Sequence, residues 1–288
     1  MIIEKAGYKV ELKKTHAIVS GGKISRPVKV AKLLSAGDAN PKTAKNKVVT
    51  FGLSLAPHKQ AAIGNLCPHA KTCVASCLNE QGRGGTETVS NARIARTVLF
   101  YLAKDWFFEK LCKELKRADE NNKDATVGVR LNMFSDVRWE VYRIPQAFPR
   151  LTFYDYSKHP KRHGWIKRNY HVTFSYDGTN KQDALRILEG GDNVSVVFYE
   201  DTQNAVCGRS AHKQKLPASW EGFSVIDGGL TDWRPSDPKG VVVGLRLLAK
   251  TYANRQLAID SGFAVKVDSS GNVIDEDSLS FWMEAATC

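Results

Sequence analysis

The rhythm of hydrophobic and polar positions changes several times along the 288-residue chain. Residues 1–46 are lysine-rich, with short β-prone pieces at 8–12, 17–20 and 28–30, and "SAGDANPKTAKN" reads as a loop. An apolar run, "VVTFGLSL" at 48–55, then predicts a buried strand. Residues 87–117 carry helical periodicity. Ala95, Leu99, Leu102 and Trp106 form one stripe, Phe107, Leu111 and Leu115 another, and one long amphipathic helix is expected. Six β-prone segments follow, at 126–132, 150–157, 171–177, 193–200, 223–229 and 241–248. Helix-length stretches such as 136–146 and 179–189 separate several of them. Past residue 250 the pattern predicts a short α/β piece with a hairpin at 269–272.

Strands that alternate with helix-length crossovers imply a parallel sheet, because parallel neighbours need a crossover connection. There is no glycine-rich dinucleotide fingerprint. The expected fold is therefore α/β, a TIM-like β/α barrel, closed or partial, over residues 47–250. A basic N-terminal elaboration over 1–46 and a C-terminal α/β extension over 251–288 complete the expected organisation. In a barrel the carboxyl ends of the strands meet at one mouth, where sites are built. Those ends carry Asn132, Ser135, Asp136, Asp155, Lys158, Ser175 and Asp227, which become the candidate ligand-binding residues.

Composition sharpens the picture. No apolar run reaches the length of a membrane span, and the first residues lack the pattern of a secretory signal. A cytoplasmic location and reduced thiols are expected. Six cysteines then point to metal binding or chemistry rather than to a disulfide framework. A net charge of +12 suits an anionic partner such as nucleic acid, or serves solubility alone. The stretch "YSKHPKRHGWIKRNYH" sets Lys161, Arg162, Lys167 and Arg168 around Trp165 and Tyr170, a pattern that can grip phosphate and stack bases. A solvated crossover with one buried Trp is the plainer account of the same stretch.

Three cysteines fall in "GNLCPHAKTCVASCLNEQGRGG", where Cys67, Cys73 and Cys77 are spaced C-x5-C-x3-C. Zinc sites usually use two short C-x2–4-C pairs, and there is no second pair; His69 would give a cramped fourth ligand. Three thiols in one loop after the first barrel strand suit a 4Fe–4S cluster better, with one iron left to another ligand. Cys112 falls on the apolar face of the predicted helix and reads as structural. Cys207 sits in a polar loop, and Cys288 is terminal.

The order strand, cysteine loop, helix, then β/α units resembles the partial barrel of radical S-adenosylmethionine enzymes. More closely, the chain resembles the phage gene product 88-like family. The stretches that carry this are "FGLSLAP", "CPHAKTCVASCLNEQGRG", "VSNARIARTVLF", "VRLNMFSDVRWE", "FYDYSKHPKR", "VTFSYDG" and "VIDGGLTDWRPSDPKGVVVGLR". The resemblance implies a viral iron–sulfur protein with its cluster on Cys67, Cys73 and Cys77, and supplies no reaction. The cysteine spacing is longer than the C-x3-C-x2-C of the radical enzymes. The strand-end segment Leu131-Asn132-Met133-Phe134 stands in place of their glycine-glycine-glutamate, so S-adenosylmethionine use stays open. The leading expectation is a 4Fe–4S protein with a ligand site at the barrel mouth and redox or radical chemistry. The alternatives are a nucleic-acid-binding protein with structural zinc and a non-catalytic cluster carrier.

Overall fold

The computed structural model describes residues 1–37, 48–74, 77, 82–200, 214–249 and 251–274. Four antiparallel strands open the chain: β1 (Ile2–Lys5), β2 (Tyr8–Leu12), β3 (Ala17–Gly21) and β4 (Ile24–Val30). The larger sheet takes in β5 (Leu34–Ala36), β6 (Val48–Leu53), β7 (Thr126–Arg130), β8 (Thr152–Ser157), β9 (Gly164–Lys167) and β10 (Tyr170–Ser175). It continues with β11 (Val194–Glu200), β12 (Ser219–Trp220), β13 (Phe223–Asp227), β14 (Val242–Arg246) and β15 (Ala264–Val267). The helices are α1 (Glu87–Leu102), α2 (Lys104–Glu120), the single turn α3 (Ile144–Ala147), α4 (Lys181–Glu189) and α5 (Tyr252–Asp260).

The large sheet runs β12-β13-β14-β11-β10-β8-β7-β6-β5, with β9 and β15 attached beside β10 and β11. From β6 to β13 its neighbours along this path are parallel, while β5 and β12 pair antiparallel at the two ends. The expected barrel is thus corrected to an open, mixed sheet, with no closing pair among the described residues. Two features account for this. The strand order reverses after β11, so that β14 lies inside β13. The antiparallel edge strands then give each end a terminus instead of a parallel partner.

Alternation within the strands makes the sheet two-faced. Val127, Val129, Phe153, Tyr170, Val172 and Phe174 are in register on one face and buried. Against that face pack Ile94, Leu99, Phe107, Leu111 and Leu115 of α1 and α2, and further along the sheet Ala184, Ile187 and Leu188 of α4. The other face is polar. Arg130, Tyr154, Tyr156, His171, Thr173, Ser175 and Ser195 alternate with the apolar set, and Tyr154 lies opposite His171 and Ser175 opposite Ser195. The segment after β13 covers this face. Trp233 meets Tyr154 edge to face at 5.2 Å, and Gly128 gives it room, since a Cβ there would stand 2.5 Å from the indole.

The expected single helix over 87–117 is two helices. At Ala103 the backbone leaves helical geometry (φ −129°, ψ 51°), while the Ala103 amide still donates to the Leu99 carbonyl. The N-terminal sheet shares the main core. Tyr8, Val10 and Val19 belong to the same apolar cluster as α1 and α2, and Glu114 of α2 accepts the amides of Leu33 and Leu34. The expected hairpin near the C-terminus forms, with Val267 bridged to Val273 around a turn closed on Asp268.

β10 and β11 share only two register pairs, Phe174 with Val194 and Ser175 with Ser195. Before that point β9 occupies the edge of β10; beyond it β15 takes the edge of β11 along Val197–Glu200. The strands therefore diverge at their carboxyl ends, next to the place where the strand order reverses. That is where open α/β sheets form ligand crevices.

Candidate functional site

A cavity of about 310 Å³ lies at these carboxyl ends. Cys67, Cys73 and Cys77 line it, together with Asn132, Ser135, Asp136, Lys158 and Ser175 from the strand ends. The sequence separates these groups by up to about a hundred residues, and the parallel sheet gathers them because each strand exits on the same side. Two of the expected ligand residues lie behind the wall. Asp155 is 1% exposed, and Asp227 is not part of the lining but accepts from Arg246 Nη1 and from the Gly229 amide, both at 2.7 Å, and those two residues do line the cavity.

The thiol loop begins where the chain turns after β6. His58 takes a left-handed conformation (φ 37°), and its backbone hydrogen-bonds to Cys67. The Cys67 amide donates to Asn65 Oδ1 at 2.9 Å, and its thiol donates to the Phe134 carbonyl at 3.5 Å. Burial pushes the Cys67 thiol up to about 12, with Asp136 and the other two cysteines adding to the effect. Cys77 lies within electrostatic reach of Arg93, which is buried in α1 over the Phe134 ring at 4.2 Å. His69 packs against His159 with the rings tilted at 58° and centroids 4.5 Å apart, and does not line the cavity. Cys112 is half-buried against the core; Cys207 and Cys288 lie outside the described residues.

These thiols must be judged as ligands. Tetrahedral zinc, with Zn–S near 2.3 Å, draws its thiolates to within about 4 Å of one another. Among the described residues no three His, Cys, Asp or Glu side chains converge in that way. In an iron–sulfur cluster each cysteine binds a different iron, and all three cysteines line the one cavity. Three thiols at one cavity are the soft donor type that such a cluster takes.

A buried polar network sets the other wall. Asn132 Oδ1 accepts from Ser135 Oγ, the Val137 amide and Trp139 Nε1 at 2.9–3.0 Å. Asp155 accepts from the Asn132 amide, Asn132 Nδ2 and the Tyr170 hydroxyl, the last at 2.6 Å. Burial pushes the Asp155 carboxyl up to about 6 against the pull of Tyr170, Arg162 and Asn132. Arg162 is 3% exposed and binds Asp136, both oxygens of Glu140, and Tyr170. This removes Arg162 from the expected anion-binding surface. Lys161, Lys167 and Arg168 are exposed, and none of them lines the cavity. Trp165 is 43% exposed, not buried as the plainer reading had it.

Reading the sequence missed several lining residues. Arg130 donates to Asp232 Oδ2 at 3.1 Å and stacks over Tyr156 at 4.8 Å. Arg246, Ser195, Val197, Leu245, Leu247 and Phe263 complete the far side. The signal for Arg130 was an arginine alternating with valines in "TVGVR", a charge on an otherwise apolar strand. No membrane-length apolar helix occurs among the described residues. Residues 29–266 match a family model described as Gene product 88. No curated protein and no solved structure matches the chain.

Proposed function

The chain belongs to the gene product 88 family, a phage-type family, and from that premise we propose that it is an iron–sulfur protein with a small-molecule site beside its cluster. Cys67, Cys73 and Cys77 would hold a 4Fe–4S cluster. One observation carries the reading: all three thiols line the same cavity as the strand ends, so a metal centre and a ligand would share one chamber. A cluster on three thiolates supplies one-electron transfer and an iron with a free coordination position. The chain's own part is to position and shield. Arg93 sets positive charge near Cys77, and the Asn132–Asp155–Arg162 network holds the strand ends rigid. Ser157, Ser175 and Ser195 bring hydroxyls to the chamber.

The chamber favours this reading over a plain cluster carrier, which needs no cavity beside its thiols. Anaerobic reconstitution of the full chain with iron and sulfide, followed by metal analysis and paramagnetic resonance, is the test. Wild-type protein should take up iron and acid-labile sulfide. Serine at position 67, 73 or 77 should lose or cripple the signal, since a hydroxyl is too hard a ligand, whereas Cys112→Ser should retain it. Colourless protein that carries zinc would count against the cluster and favour the nucleic-acid-binding alternative. Titration with S-adenosylmethionine then separates radical chemistry, which should change the signal and release deoxyadenosine, from a site for some other ligand.

A further inference from the structure

The charges around the chamber do not balance. Arg130 pairs with Asp232, Arg246 with Asp227, and Asp136 is engaged by Arg162, Ser157 Oγ and the Lys158 amide. That leaves the Lys158 ammonium. It lines the chamber, is half-buried, and has no hydrogen bond or ion pair among the described residues; the Phe263 ring lies 6.0 Å away. A cation drawn partly out of water calls for a counter-charge. The two arginines are pinned with donors to spare. Arg246 is fixed by the Gln214 carbonyl at 2.6 Å and by Asp227, while Arg130 is stacked on Tyr156 and its buried Nε–H has no partner. Guanidinium groups held this way are ready to meet a planar or tetrahedral oxyanion, because their orientation is already fixed. The lining also carries an apolar set: Val197, Leu245, Leu247 and Phe263, the last beside Lys158.

We propose that the chamber binds a small amphipathic anion, its carboxylate or phosphate head between Lys158, Arg130 and Arg246 and its apolar body along Val197, Leu245 and Phe263. The inference rests on the reading of this cavity as a ligand site, and it names the ligand class. It does not require the cluster to be present. A cationic ligand would face three positive side chains, with Asp136, Asp227 and Asp232 already engaged, and a fully polar one would leave the apolar lining uncovered.

Thermal-shift and calorimetric titrations of the full chain test this, in metal-free and reconstituted forms, with octanoate, octyl phosphate and octylamine as probes. An anion that binds the native state raises the melting temperature with concentration. Octanoate or octyl phosphate should do so, and whichever binds tighter identifies the head group; octylamine, with the same tail, should not. Lys158→Gln should weaken anion binding about tenfold, the loss of one charge-assisted contact. Lys161→Gln, outside the chamber, should bind like wild type. Equal shifts from octylamine, no shift from any probe, or unchanged binding in Lys158→Gln would overturn the proposal. If the cluster fails to assemble while the metal-free chain still binds an anion, the cluster reading falls and this one stands. If the cluster assembles and no anion binds, the reverse holds.

Discussion

At the scale of single residues, Asn132 is the hinge between fold and site. Its amide oxygen serves three donors and its amide nitrogen reaches both the Val137 carbonyl and Asp155. Asn132→Ala would leave Trp139 Nε1 and the Val137 amide buried without an acceptor. The expected cost is about 3 kcal/mol, since each orphaned buried group costs roughly 1–3. A urea midpoint that falls with an unchanged slope would verify it. The sequence marked Asn132 and Asp155 as ligand residues because polar groups at strand ends look alike whether they face a ligand or each other. Only the fold shows that Asp155 accepts from Tyr170, fifteen residues away. The thiols were legible for the opposite reason: three cysteines within eleven positions are kept near one cavity by the chain itself.

At the scale of elements, strands and helices were largely legible from local periodicity, but their pairing was not. Barrel closure depends on which strand ends up beside which. Here β14 inserts between β11 and β13, and β15 arrives from far along the chain to pair with β11. Neither event leaves a local signature. The helix break at Ala103 was hidden too, because the apolar stripe continues through it. The wedge made by β15 depends on a contact between two turns. Gly178, at φ +86°, lies so close to Gly262 that a Cβ would stand 2.2 Å from its carbonyl oxygen. Gly178→Ala should therefore cost about 2 kcal/mol through backbone strain and the forced separation of the turns. Its melting temperature should drop by several degrees, and anion binding in the chamber should weaken as Phe263 shifts with Gly262.

At the scale of the whole molecule, the +12 charge is not spread as the sequence suggests. With Arg162 internal, a test of nucleic-acid binding on the β9 surface should alter Lys161, Lys167 and Arg168 and leave Arg162 in place. Stability should also respond to pH through His171, which is 7% exposed and whose pKa burial lowers to about 4. A histidine depressed on folding binds protons better when unfolded, so its contribution is complete above pH 6.5 and disappears as pH falls towards 4. His171→Asn should remove about 3 kcal/mol of that pH dependence, while the opposing slope from the raised carboxyls of Asp155 and Asp237 stays in both proteins. Urea unfolding of both proteins at pH 7 and pH 4.5 measures the difference. The narrow junction between β10 and β11 has a further consequence. The two main apolar clusters divide there as well, one ending at Val172 and the next beginning at Phe174. Two halves whose sheets meet at only two register pairs, with the Trp233 and Asp232 contacts as the remaining ties described above, should open as separate cooperative units. Native-state hydrogen exchange should then show β6, β7 and β8 protected to one common free energy and β11 and β14 to another. The chamber would sit on the boundary, and a bound ligand would merge the two values into one.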